Sequence, residues 1–357
     1  MNDSRLTTLA HILVDKSVKV KPLEKIWIRV MDPVGLPLAK EVYKAVVEAG
    51  GLPHLDIGVE ELGSWYFRHA SDQQLTATPE LYKFQVKHFD KSIVIAADVN
   101  TSNMVTVDPK RIQVRAKLMK PYKETISNKP WVLTNYPSPA MAQAANMNLE
   151  ELEDFYFKST NQDWTKIEAE MKKMSKALTN KEIEVIGEKT HLKLSTKGRI
   201  WVFDDWRANI PGGEVFTAPV DDSVEGEVYF NYPLTRQGVT MRDIHLWFEK
   251  GVVVKATASE NQAYLEHILD TDVGARRLGE FAIGGNPGVP KYMNNVLFDE
   301  KMKGTIHMAL GFAFPDCAGI NKSAIHMDMV KDMRSAGSEL RANGKIVLKN
   351  GKFVEIK

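Results

Sequence analysis

Near residue 182 the hydrophobic period of this chain changes, and that change limits the available folds more than any other feature. Before it, apolar residues recur at the three-to-four spacing of helices, between short apolar runs; after it they alternate with a period of two. At 357 residues the chain is also long for a single core. Two domains are expected: an α/β domain with its following helices over residues 1–181, and a mainly β domain over 182–357.

In the first part, Leu6, Leu9, Leu13 and Val14 follow Ser4, a plausible cap, at helical spacing. "KIWIRV" reads as a buried strand. "PLAKEVYKAVVEAGG" reads as a helix with Leu38, Val42, Ala45 and Val46 inward and Gly50 as its stop. The rhythm continues through "LPHLDIG", "SIVIAAD", a basic segment at 109–123 and "PWVLTNY", and implies a mainly parallel sheet. The loop "MDPVGLP" after the first strand has neither G-x-G-x-x-G nor a phosphate loop, which argues against a nucleotide site. Two helical segments follow, the second with Trp164, Ile167, Met171 and Leu178 on one stripe, a pattern of core packing. Beyond residue 182, one helix at 261–278 is expected to interrupt the strands, and Asn350-Gly351 signals a terminal hairpin.

With 47 basic and 46 acidic residues, the charge balance gives no reason to expect nucleic acid or an anionic membrane as partner. The single cysteine, Cys317, excludes an intramolecular disulfide framework and a thiolate zinc cluster, and fits a reducing compartment. The amino-terminal stretch lacks a signal peptide's apolar core, and no stretch approaches the roughly 18 apolar residues of a membrane span. A soluble cytoplasmic protein is expected.

The chemistry gathers between residues 304 and 330. His326 and Asp328, two apart, share one face of a strand, while Ile325, Met327 and Met329 take the other. Ile306, Met308 and Leu310 alternate likewise, so His307 projects from a second strand. Two such strands aim His307, His326 and Asp328 at one point, a shell suited to a divalent metal. Glu214 in "NIPGGEVFTAP" and Glu280 in "LGEFAIGGNPG" are carboxylates in apolar, glycine-marked settings, where burial needs a compensating cation or donors. Together the five offer three anionic and two neutral ligands, which two divalent cations and a shared hydroxide bring near neutrality. A single iron(II) held by His307, His326 and Asp328 is the other reading of the same residues.

"NIPGGEVFTAP", "LDTDVGARRLGEFAIGGNPGV", "LFDEKMKGTIHMALG" and "NKSAIHMDM" closely resemble the aminopeptidase T and aminopeptidase S family of metallopeptidases. The likeness extends to "LVDKSVKVKP" and "AQAANMNLEELEDF", and so covers nearly the whole chain. It implies two divalent metal ions (Zn, Co, Mn or Mg), peptides with free amino termini as substrates, an α/β amino-terminal domain and a homodimer. By position it places the family's metal-binding residues on Glu214, Glu280, His307, His326 and Asp328. Glu214 is the first choice for the carboxylate that shuttles the proton to the leaving amine. In one departure, the family pattern carries an active-site tyrosine seven residues after the first histidine, and this chain has Phe314.

The competing readings are a ring-cleaving iron dioxygenase acting on hydroxylated pyridines, and a catalytically weak homologue that keeps the metal. A serine nucleophile in G-x-S-x-G and the helical motif H-E-x-x-H are both missing. Cys317 reads as incidental, and His54, His191 and His245 read as structural.

Overall fold

The computed structural model describes residues 3–354 apart from Asp205 and Gln237. It divides into two compact units, the first holding the chain through Gln162 together with Trp206–Gly212, and the second holding the rest. The helix Trp164–Leu178 belongs to the second unit, where its buried stripe of Trp164, Ile167, Met171, Met174 and Leu178 packs on the strands Val202–Asp204 and Glu214–Thr217. This division therefore runs nearer the amino terminus than the one expected after residue 181, because the apolar face of that helix finds its partner among the later strands.

The first unit is built on a parallel sheet in the order Leu52–Ile57, Lys25–Val30, Lys91–Ala96, Trp131–Asn135 and Asn209–Ile210. Ile26, Ile28 and Val30 are buried in the second of these, and the helix Leu36–Glu48 buries Leu38, Val42, Ala45 and Val46, the residues its period predicts. Gly50, at φ +79°, occupies the left-handed conformation that ends the helix. Capping differs at the start of the chain. Asp3 rather than Ser4 caps the opening helix Ser4–His11, its carboxylate accepting the N–H of Arg5 at 2.9 Å. Aspartate at this position also meets the exposed N–H groups with a full negative charge.

The second unit holds an eight-stranded sheet and a five-stranded sheet, both antiparallel. Asn350 and Gly351, both at positive φ, make the tight turn between Lys345–Lys349 and Lys352–Phe353. The helix expected over 261–278 is shorter, Gln262–Leu269. Asp272 accounts for the difference: its carboxylate accepts the N–H groups of Gly274 at 3.0 Å and Ala324 at 2.7 Å, which commits the backbone to a turn.

The five-stranded sheet runs in the order His326–Asp332, Thr305–Gly311, Leu278–Gly284, Glu214–Thr217 and Val202–Asp204. One face is apolar and buried, with Phe281, Ile283, Ile306, Met308, Leu310, Met327 and Met329. From that face Lys331 reaches the backbone carbonyls of Glu188 and Tyr229 beside the larger sheet, so the core of this unit lies between its two sheets.

Candidate metal centre

The opposite face of the five-stranded sheet carries the polar residues, one or more from every strand. Register fixes this: Glu280 pairs with Ala309, which pairs in turn with Asp328, while Ala282 pairs with His307 and Gly311 with His326. Glu214 pairs with Gly284 on one side and Asp204 on the other. The small residues Ala282, Ala309 and Gly284 form the floor between the longer side chains. A bulge at Gly279 breaks the alternation between Leu278 and Glu280, so that Leu278 keeps to the apolar face while Glu280 turns to the polar one.

The five residues singled out by sequence come together. His307 Nε2 lies 3.2 Å from Glu214 and 3.3 Å from Glu280, and His326 Nε2 lies 3.2 Å from Glu280 and 3.3 Å from Asp328. Glu280 thus stands between two imidazoles. Ligand atoms of Glu280, His307 and Asp328 lie within 4.8 Å of one another, as do those of a second group, Glu214, Glu300 and His307. Glu214 and Glu280 are only 4% and 5% exposed and His307 is fully buried, so their charge must be balanced locally.

Three further residues, absent from the sequence reading, complete the centre: Asp204, Glu300 and Lys301. Lys301 Nζ lies 2.5 Å from Glu214, 3.1 Å from Glu300 and 3.2 Å from Asp204. In sequence "DEK" looks like a solvated turn. Here Asp299 folds it inward, accepting the N–H groups of Met293 at 2.7 Å and Asn295 at 2.8 Å. Gly284 then admits it, since a Cβ there would meet the Met302 carbonyl oxygen at 2.2 Å.

Electrostatics follow the packing. Burial pushes the His307 and His326 imidazoles down, but the carboxylates around them outweigh it and hold them up at about 9 and about 11. Burial pushes Glu280 up, and hydrogen bonds from both histidines override it to about 2. Glu300 rises to about 8 through burial, and Glu214 is raised by burial against the pull of Lys301 and His307. A pocket that draws protons onto the buried His307 and the half-buried His326 attracts cations generally.

The residues fit divalent metal ions. Among the described residues, Glu214 Oε2, His307 Nδ1 and Asp328 Oδ1 are buried without a hydrogen-bond partner, and the two oxygens belong to the carboxylates that flank the imidazoles. His326 Nδ1 lies 2.8 Å from the Phe312 carbonyl and donates to it, so Nε2 faces the cluster and would ligate a cation that displaces its proton. All donors are nitrogen or oxygen. Cys317 stands apart in an apolar cluster with Ala218 and Ala313, its thiol pushed up to about 12 by burial. His191 bonds to Glu184 at 2.8 Å, and His245 stacks on Trp247. Among the described residues no helix is long and apolar enough to cross a membrane.

Comparison with known proteins places these features in context. The family model described as thermophilic metalloprotease (M29) matches residues 2–353. Aminopeptidase 2 of Geobacillus stearothermophilus is 26% identical, covering 98% of this chain and 95% of that protein. Aminopeptidase T of Thermus thermophilus is 36% identical over 138 residues, 34% of this chain and 33% of that one. The solved structure of wild-type AmpT from Thermus thermophilus superposes with a TM-score of 0.87 at 21% identity, covering 99% of both chains. The 2,5-dihydroxypyridine dioxygenase of Pseudomonas putida KT2440 gives a TM-score of 0.62 at 13% identity, covering 100% of this chain and 99% of that one, a likeness of fold.

Proposed function

The chain belongs to the M29 family of metalloproteases, and from that premise we propose that it releases amino-terminal residues from peptides with two divalent cations held by Glu214, Glu280, His307, His326 and Asp328. It is a metal-dependent aminopeptidase, as its family and its full-length relative are metallopeptidase and aminopeptidase respectively. The ring-cleaving reading has a likeness of fold and the His307, His326 and Asp328 set behind it, and no relative named for that activity in sequence.

The observation that carries the two-cation reading is the pair of ligand groups on one sheet face, Glu280–His307–Asp328 and Glu214–Glu300–His307. Beyond the five predicted residues, Lys301 brings one positive charge, and Glu300 and Asp204 bring carboxylates that meet it. Cations held there would supply Lewis acidity, to polarise the scissile carbonyl and to lower the pKa of water.

The protein's residues supply position and proton transfer. Glu280, between both imidazoles, would hold a cation together with His307, His326 and Asp328. Glu214 has Oε1 held by Lys301 and Oε2 turned toward His307, and its carboxylate is our first choice for the group that passes a proton to the leaving amine. The reading also includes zinc, cobalt, manganese or magnesium as the metal, a homodimer, a cytoplasmic setting, and neither nucleic acid nor membrane as partner. Near-balanced charge and a single buried cysteine support the last two.

The test compares an unblocked peptide with its amino-acetylated form, before and after chelation. The expected result is cleavage of the free peptide only, lost with the metal and restored by adding it back. Cleavage within the acetylated peptide would overturn the aminopeptidase reading.

A further inference from the structure

Lys301 brings a fixed positive charge into the centre. An ammonium offers three donors and no acceptor, and here three carboxylates meet it: Glu214 Oε1 at 2.5 Å, Glu300 Oε2 at 3.1 Å and Asp204 Oδ2 at 3.2 Å. The side chain is 1% exposed. Its backbone is pinned as well, since the Lys301 carbonyl accepts the N–H of Asn286 at 2.9 Å, just past the Glu280 strand. These contacts fall on one side of the centre. Glu214 and Glu300 belong to one ligand group, whereas Glu280 and Asp328 lie 3.2 and 3.3 Å from the His326 imidazole.

We infer that Lys301 makes the two cation positions unequal: the position at Glu280, His307, His326 and Asp328 fills first, and the one at Glu214 and Glu300 fills second and more weakly. A cation at the second position shares the buried Glu214 and the half-buried Glu300 carboxylates with a resident ammonium, and like charges repel strongly where water is largely excluded. Lys301 also holds Glu214 Oε1, which leaves that carboxylate a single oxygen, Oε2, to offer. The inference rests on the two-cation reading and adds an order of filling to it.

Calorimetric titration of the chelator-stripped full chain with zinc, with metal content checked by equilibrium dialysis, tests it. The wild type is expected to take two equivalents, the second at least about tenfold more weakly, and Lys301→Gln to tighten the second by a similar factor with the first little changed. Lys301→Arg, which keeps the charge, is expected to keep the gap. Two equal equivalents in the wild type would overturn the inference while leaving two cations in place. A single equivalent in both wild type and Lys301→Gln would overturn both ideas, and an unchanged or weaker second step in folded Lys301→Gln would overturn the inference. Should Lys301→Gln not fold, wild-type protein carrying 13C at lysine Cε supplies the reading. A lysine signal is expected to move during the second equivalent and not the first, and movement in the first step, or in neither, counts against the inference.

Discussion

The Phe314 ring stands edge-on to the His326 imidazole, with centroids 5.0 Å apart and planes at 61°. It also meets Phe216 and Phe312 edge-on, at 5.9 and 5.6 Å, and is 37% exposed. The position at which the family pattern carries a tyrosine thus lies beside the candidate metal centre, and here its ring carries no hydroxyl. Tyr292 does not make up for the missing hydroxyl: its own donates to the Pro233 carbonyl at 2.7 Å.

Phe314→Tyr is therefore expected to raise peptide turnover by at least about tenfold, a conservative share of what one oxyanion donor contributes. Steady-state kinetics with metal content measured in parallel check this. An unchanged or lower rate at equal metal content would show that another donor already serves the position, or that the hydroxyl clashes.

Glu280→Gln and His326→Ala are each expected to abolish metal-dependent turnover. Metal affinity should fall by more than the roughly hundredfold that loss of an outer partner can reach. Both side chains rise from the polar face of a sheet whose other face holds the core, so melting should stay within about 5 °C of wild type. An unfolded variant, or one that turns over at the wild-type rate, contradicts the assignment.

The centre was legible where period and face coincide. Alternation in "TIHMAL" and "IHMDM" put His307, His326 and Asp328 opposite a run of Ile and Met, and register brought the two strands side by side. Glu214 and Glu280 stood out as carboxylates in apolar surroundings. What alternation alone misses is the bulge at Gly279, without which Leu278 and Glu280 would share a face. Asp204, Glu300 and Lys301 left no signal of their own. Glu300 and Lys301 reach the centre through the Asp299 hydrogen bonds and the close approach over Gly284, and Asp204 through its pairing with Glu214, contacts that alternation does not reveal. The helix that stops at Leu269 failed for a similar reason, because one carboxylate of Asp272 ties together residues some fifty apart in sequence.

Cys317 is 1% exposed, and its thiol is held up at about 12 by burial and the nearby Glu280 charge, so little thiolate exists near neutral pH. Cys317→Ala is expected to keep turnover within about twofold and to cost on the order of 1 kcal/mol of stability, the scale of one small buried group. Loss of activity in a folded, metal-loaded variant would mean that the sulfur takes part in the chemistry.

The last prediction concerns Lys331, fully buried on the apolar face of the His326 strand. Its Nζ donates to the carbonyl of Tyr229 at 2.9 Å and, more weakly, to that of Glu188 at 3.3 Å. Burial lowers its pKa from 10.5 to about 8, although Glu188 and Asp332 pull the other way. The sign of the consequence is fixed. Between about pH 8 and 10.5 the native state has released this proton while the unfolded chain still holds it, so this residue's contribution to stability rises with pH across that window. Below it the native protein carries the full cost of a buried charge. Lys331→Met removes the titration and leaves every other ionisable group in place. The wild type should therefore gain on the variant by on the order of 2 kcal/mol as the pH is raised through the window. Urea unfolding of both proteins at several values across it measures the gap. A gap that stays flat, or moves against the wild type, would mean that the amine keeps its ordinary affinity for protons despite its burial.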